Sequence, residues 1–260
     1  LATVIGQTLN MLLGFYILLR KNRMVSIRVK GFRPNLKIIG EIYNVALPVI
    51  CMQALGSFTN FCLNKILVGL SESAISVLGI YYKLQSFVYM PVFGLGAGQL
   101  SILSYNFGAR NKPRMMTTLK YSMIYMIAIM AIGTALFYAI PGKLLMLFNA
   151  DKELLSVCIG ALPKIGLCFT FAATGIAFSH VFQAVGRGPQ CLIISITRQV
   201  GLIIPSAYLL AKFAGLSAVW YCFPIAEVVS SGLYVALMIY VYKKDLKPLD
   251  NINPEQIPAI

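Results

Sequence analysis

Four ionisable side chains fall inside stretches that are otherwise apolar: Lys83, Lys164, Arg198 and Glu227. Isolated in hydrocarbon, such a group costs about 2.5–3.5 kcal/mol on insertion scales, so each needs a partner or a polar cavity. At about 1.5 Å per residue, Lys83 lies roughly 13 Å, and Lys164 and Glu227 roughly 15 Å, from the outer ends of their runs. Arg198 lies roughly 12 Å from the inner end of its run, and its long side chain reaches toward the same layer. The four form an expected intramembrane charge cluster, in which Glu227 pairs Lys83 or Arg198. One carboxylate does not neutralise three cations. At least one base is therefore left for a water-filled cavity, a substrate or uncharged acceptors. Lys83 is the expected cavity residue, with Gln53, Gln85, Phe87, Tyr89 and Met90 beside it as a substrate surface. The plainer alternative is that the charges only join helices, as interior charges commonly do.

The residues do not fit catalysis. Paired acids are absent, and His180 has no acid within a turn on its own helix, so nothing matches the acid–base geometry that an enzyme requires. His180 reads as an interfacial residue rather than a proton relay. The six cysteines, Cys51, Cys62, Cys158, Cys168, Cys191 and Cys222, form no CxxC pair and read as small buried hydrophobes, with no metal and no disulfide framework expected. No cofactor is expected.

The elements that must hold these residues are set by composition. Of 260 residues, 58% are hydrophobic and 12% charged, with a mean hydropathy of +0.79. Soluble domains carry about 25% charged residues, so the chain reads as an integral membrane protein. The net charge of +14 would suit nucleic acid, but the basic residues sit in loops between apolar runs, where they orient a membrane protein. Nucleic acid is not an expected partner; the lipid bilayer is.

About seven helices are expected in an all-α polytopic bundle: 1–19, 42–68, 74–103, 118–140, 154–182, 191–211 and 216–242. Five carry an internal proline, Pro48, Pro91, Pro163, Pro205 and Pro224, and interrupted helices are tolerated in membranes where they line cavities. Arg20 to Lys37 holds seven basic residues and no acid. The proposed inner segments carry fifteen Lys and Arg in all, whereas the outer ones carry Lys143, Lys152 and Lys212. That asymmetry predicts a cytoplasmic C-terminus. The chain opens at Leu1, without Met and already inside an apolar run, and reads as part of a longer protein.

One stretch is distinctive. Tyr89-Met90-Pro91-Val92-Phe93-Gly94-Leu95-Gly96-Ala97-Gly98-Gln99 is followed by Tyr105-Asn106-Phe107-Gly108-Ala109 and a basic cluster. Pro91 predicts a bend, and the glycines predict close backbone approach or a further bend. Ala46-Leu47-Pro48 with Gln53 precedes it. Phe182-Gln183-Ala184-Val185-Gly186-Arg187-Gly188-Pro189, then Arg198-Gln199 and Pro205, and finally Trp220 with Pro224-Ile225-Ala226-Glu227, follow in order. Together these resemble helices seven, eight, ten to eleven and twelve of the multidrug and toxic compound extrusion (MATE) transporters. Bend and turn positions are expected at Pro48, Pro91, Gly94, Gly98, Asn106, Gly108, Gly186 and Gly188.

The resemblance implies one lobe of a two-lobed transporter. Residues 1–19 would be the last helix of the amino-terminal lobe, 20–41 a cytoplasmic linker, 42–242 the carboxy-terminal six-helix lobe, and 243–260 a cytoplasmic tail. It implies a cation-coupled (Na+ or H+) antiporter in the plasma membrane that exports amphipathic small molecules by alternating access, with the absent lobe as partner. The runs 42–68 and 154–182 lack the acids that one branch of the family uses, so the coupling-ion site is expected mainly in the missing lobe. A lipid-linked sugar flippase of the related superfamily is the alternative, and a membrane-embedded transferase is further off.

Overall fold

The computed structural model describes residues 2–20, 35–146 and 152–251. Among them the secondary structure is helical, with no strand. Most of the basic run after Arg20, residues 147–151 and residues 252–260 lie outside the described residues. The chain divides into two units, residues 1–43 and 44–260. The first holds the apolar helix α1 (Ala2–Arg20) and the start of α2 (Leu36–Val68).

The second unit carries the rest of α2, then α3 (Glu72–Gly108), α4 (Lys112–Ala139), the short α5 (Pro141–Met146), α6 (Lys152–Gly166) and α7 (Phe169–Ala184). Next come α8 (Gly188–Ile196), a π-helical segment Thr197–Ile203, α9 (Ile204–Ala214), the one-turn α10 (Leu216–Val219) and α11 (Cys222–Val241). Five helices or helix runs are long and apolar enough to cross a membrane. Cys158–Gly166 and Phe169–Ala184 make a sixth span, bent by 44° at the break. The result is a polytopic transmembrane bundle. Helix α1 is apolar but shorter than these spans.

Why the helices pack is clearest in α4. Met115, Leu119, Ser122, Met126, Met130, Gly133 and Phe137 are buried at helical spacing, while Tyr121, Ile124, Tyr125 and Ile132 are exposed. The helix is apolar on both faces because one faces protein and the other faces lipid. Aromatic and large aliphatic side chains fill the interior of the second unit. Phe169 lies edge-on to both Phe137 and Tyr89, at 5.0 and 5.4 Å between ring centroids.

The prolines act differently from one another. Pro48 and Pro91 sit within helices that run on past them. Pro163 lies just ahead of the 44° bend. There Thr134 Oγ1 donates to the Gly166 carbonyl at 3.0 Å, satisfying an acceptor left at the helix end. Pro205 follows the π segment, in which the Ile204 amide bonds to Gln199 O, five residues back. Proline lacks an amide hydrogen and clashes with the turn before it, and widening that turn relieves the clash. Pro224 falls in the first turn of α11, where its missing donor costs little.

Of the glycine run, Gly96 is the one that lets helices approach, because a Cβ there would run into the His180 imidazole of α7. Gly94 and Gly98 have open space around them. The Asn106 turn is built by main chain and side chain together. Asn106 Nδ2 donates to Ile102 O at 2.8 Å, its carbonyl accepts from the Asn111 amide at 2.8 Å, and Asn111 Oδ1 caps α4 by accepting from the Arg114 amide.

Gly186, with φ +76°, ends α7. The Arg187 amide bonds to Phe182 O and the Gly186 amide to Gln183 O, the paired bonds of a Schellman motif. Gly186→Ala is expected to cost about 1–2 kcal/mol, since an L side chain clashes with the backbone in the left-handed region. Gly186→Asn should lose less, because asparagine tolerates that region. Thermal unfolding of the intact protein in detergent checks both; equal loss from the two variants would contradict this reading.

Candidate functional site

A cleft of about 650 Å³ opens in the second unit between α2, α3, α7, the α8–π segment and α11. That volume lies within the range of small-molecule sites. Helix α3 contributes Tyr81, Tyr82, Gln85, Ser86, Tyr89, Met90 and Phe93. The spacing is that of one helical face. Helix α7 contributes a second stripe, Ala172, Gly175, Ile176, Ser179 and Gln183, with His180 alongside. Small residues open that wall: the Tyr234 ring of α11 packs directly over Gly175.

Helix α2 forms the third wall with Val49, Met52, Gln53, Gly56 and Thr59. Thr59 is buried, and its hydroxyl lies within hydrogen-bond distance of both Leu55 O, at 2.9 Å, and Gln199 Oε1 of the π segment, at 3.0 Å. Further along, Pro48 lies close to Gly188 at the start of α8.

The π segment carries the charge. Arg198 Nη1 donates to Glu227 Oε1 of α11 at 2.5 Å, with 30% of the arginine side chain and 11% of the glutamate side chain accessible. Both border the cleft. An ion pair in a low-dielectric interior stands only with good geometry. Arg198 is presented from the π segment Thr197–Ile203 and Glu227 from the first turns of α11.

Gln53, Gln85, Tyr89 and Met90 line the cleft, as do Arg198 and Glu227. Lys83 and Phe87 do not. They share a different face of α3, four residues apart, and Phe87 is 75% exposed. Lys164 is also elsewhere: its ammonium donates to Ser217 O and Oγ at 2.8 and 2.7 Å and sits over the Tyr221 ring. Of the four expected cluster members, Arg198 and Glu227 pair at the cleft, while Lys83 and Lys164 do not line it. His180 Nδ1 lies 2.8 Å from Ile176 O, and the residue borders the cleft.

Thr59, Ser179, Gln183 and Tyr234 were not singled out from the sequence. The stripe of small and polar residues in α7 was the available signal for two of them. Among the described residues, no group of three or more His, Cys, Asp or Glu is placed to hold a metal ion.

A second ion pair lies at the end of the bundle where α7 meets α8. Arg187 Nε and Nη2 donate to Asp245 Oδ2 and Oδ1 at 3.0 and 2.9 Å. Hydrogen bonding to Asp245 raises the Arg187 guanidinium above its ordinary range. Nearby, Lys112 at the start of α4 stacks on Tyr242 just past α11. Asp245→Asn is expected to lower the unfolding temperature modestly at low ionic strength and slightly less at 0.5 M salt, since the pair is partly buried and only partly screened. An equal shift at both ionic strengths would show that the pair acts through packing alone.

The MatE family model matches residues 48–209, which is most of the cleft and well over half of the chain. The chain belongs to the MATE family. This is a family of multidrug efflux transporters and not of enzymes. The chain is 27% identical over 242 residues to the multidrug export protein MepA of Staphylococcus aureus strain MSSA476, covering 93% of the chain and 52% of that protein. It is 28% identical over 233 residues to MepA of Staphylococcus haemolyticus, covering 90% and 51%. The chain therefore spans about half the length of the curated relatives it matches.

Among solved structures, a MATE crystal structure in the bent conformation superposes with a TM-score of 0.85 at 22% identity, over 96% of this chain and 56% of that one. A MOP superfamily transporter from Pyrococcus furiosus gives 0.79 at 23%, over 89% and 54%. At these identities the superpositions establish the fold.

Proposed function

We propose that the chain is the carboxy-terminal lobe of a MATE antiporter, residues 42–242, preceded by the last helix of the other lobe at 1–19 and a linker at 20–41. The intact protein would export amphipathic small molecules across the plasma membrane in exchange for Na+ or H+. The observation that carries this reading is the cleft: aromatic and amide side chains around one buried ion pair, in a chain half the length of named multidrug exporters.

Charge supports it as well. Lys83 and Lys164 lie outside the cleft, so Arg198 and Glu227 balance there and a cationic amphiphile meets no net positive wall. A lipid-linked pyrophosphate would find one guanidinium already engaged by Glu227, which makes the flippase reading the weaker one.

Basic residues gather at one end of the second unit. Contacts of Lys112 with Tyr242 and of Arg187 with Asp245 bring the α3–α4 turn, the α7–α8 turn and the segment after α11 together. Exposed Arg110, Arg114, Lys243 and Lys247 lie on these segments. The positive-inside rule supports a cytoplasmic location for that end and for the tail at 243–260.

The test is efflux of an amphipathic dye by the intact transporter in everted vesicles under an imposed Na+ or proton gradient. Gradient-dependent efflux that falls at least tenfold in Gln53→Ala with Tyr89→Ala is the expected result. Efflux that is indifferent to both gradients would end the antiporter reading.

A further inference from the structure

At the end of the bundle where α7 meets α8, exposed cations stand on segments that the structure ties together. Arg110 and Arg114 flank Lys112, whose ammonium lies 4.7 Å from the centre of the Tyr242 ring. Lys243, Lys244 and Lys247 follow Tyr242 and are exposed. Leu246 among them is buried, which holds this segment against the bundle. Asp245, the acid between these lysines, already closes on Arg187 through two bonds. Across 105–120, 183–190 and 240–251 the sequence carries eight Lys and Arg against Asp245 and Asp250. The turn from α3 to α4 adds an independent observation. It is the same Schellman motif that ends α7, with the Asn111 amide bonded to Asn106 O at 2.8 Å and the Arg110 amide to Phe107 O at 3.0 Å. At α7 the left-handed position is Gly186. At α3 it is Arg110, with φ +56°, the one non-glycine residue in that region among the described residues. Glycine takes this backbone freely and arginine does not, so a charge is held where the backbone favours another residue. Strain of that kind gathers at functional positions.

Depth identifies the partner. The apolar spans Ala74–Gly108 and Leu216–Leu249 finish at this end, and Lys112–Ala139 starts there. Each is longer than the roughly 20 residues that cross the hydrocarbon, so their shared end reaches the headgroup layer. Arg114 also heads a stripe of α4 that continues, at helical spacing, through the exposed Tyr121 and Tyr125. We propose that this end is a docking surface for anionic phospholipids. The headgroup phosphate accepts from Arg110 and Arg114 on one side and from Lys243 and Lys247 on the other, and an acyl chain runs down the Arg114–Tyr121–Tyr125 stripe. Clustered Lys and Arg beside a span draw acidic lipids by charge, and salt weakens the attraction. The stripe is what a free phosphate would not use. This inference needs a membrane but no particular cargo in the cleft, and it stands apart from the antiporter reading.

The test uses the purified intact transporter in phosphatidylcholine nanodiscs that hold a small fraction of a lipid with a photoreactive headgroup. The probe is either phosphatidylglycerol or phosphatidylcholine, and labelled peptides are mapped by mass spectrometry. Peptides from 105–120 and 240–251 should carry about fivefold more of the anionic probe than of the neutral one, and 0.5 M salt should cut the excess. Unlabelled phosphatidylglycerol should displace the anionic probe, whereas inorganic phosphate at the same concentration should not. Arg110→Gly with Arg114→Gln and Lys243→Gln should remove most of the excess. Lys143→Gln with Lys212→Gln, on other segments, should leave it intact.

Arg110→Gly alone keeps the test independent of folding. It removes a cation and relieves the left-handed backbone, so the unfolding temperature in neutral detergent should hold or rise while anionic labelling of 105–120 falls. Arg110→Lys should keep most of the labelling. Equal labelling by the two probes would overturn the inference, and so would an excess unchanged in the triple variant. Displacement by inorganic phosphate as effective as by the lipid would assign the patch to a free anion and overturn it too. Gradient-driven export is read separately: lipid selectivity without export sinks the antiporter reading alone, and export without lipid selectivity sinks this inference alone.

Discussion

Glu227→Ala in the intact transporter is expected to lower stability by about 3 kcal/mol, near the lower end for a broken buried ion pair. The carboxylate is its partner's counter-charge inside an apolar bundle. Removing it leaves the Arg198 guanidinium without an anion, and the cleft offers neutral amides and hydroxyls in its place. The loss sits near the lower end because Arg198 keeps 30% of its side chain accessible, so cleft water softens the penalty. Removing both charges should be far milder. Arg198→Met with Glu227→Leu replaces the pair by apolar volume, and such replacements are often neutral in stability. Thermal unfolding in detergent separates the cases. Equal destabilisation by the single and the double variant would show that shape, and not charge balance, holds this junction. Even where the double variant folds well, export is expected to fall, because the charged pair bordering the cleft is gone.

Gly133→Leu is the second change expected to be severe. Gly133 lies on the buried stripe of α4, and a Cβ built there collides with Cγ1 and Cγ2 of Val88 on α3, with Val88 Cβ also inside normal contact. Valine is stiff at χ1, and its Cβ cannot leave without moving the helix. Overpacking of this kind costs about 1–3 kcal/mol. Gly133→Leu should fall at or above the upper end and Gly133→Ala near the lower. Val88→Ala placed on the Gly133→Ala background should recover most of the loss by vacating the contact. Gly94→Ala and Gly98→Ala, with open space around both, should stabilise α3 slightly, because alanine is the better helix former. Similar losses at 94, 98 and 133 would mean that α3 does not meet α4 as described.

The positions of the helices were largely legible in the sequence, because apolar run length and intervening charge are set by the membrane itself. The second helix begins earlier than the apolar run that marks it, since α2 starts at Leu36 and carries Lys37 and Glu41 within its first turns, ahead of the apolar span Ala46–Val68. The Arg198–Glu227 pair was legible as one of two pairings, since both residues lie within apolar runs. What the sequence did not yield was direction around the helix axis. Lys83 and Gln85 are two residues apart, but on a helix two residues apart means opposite faces, and only packing decides which faces protein. The π segment before Pro205 was equally hidden, because a widened turn leaves no compositional mark. The glycine run points to close approach or bending at 94, 96 and 98, and of the three Gly96 is the one where a Cβ would meet a neighbour, His180.

The claim on which the rest depends is that this cleft is a transport site exposed in turn to the two sides of a membrane. Gln53→Cys in the intact transporter, with its native cysteines replaced, tests it most directly. A membrane-impermeant maleimide should label Cys at this position from either side in separate experiments, and a saturating amphipathic substrate should slow both reactions. Labelling from one side only, or at a rate that substrate leaves unchanged, would contradict the account.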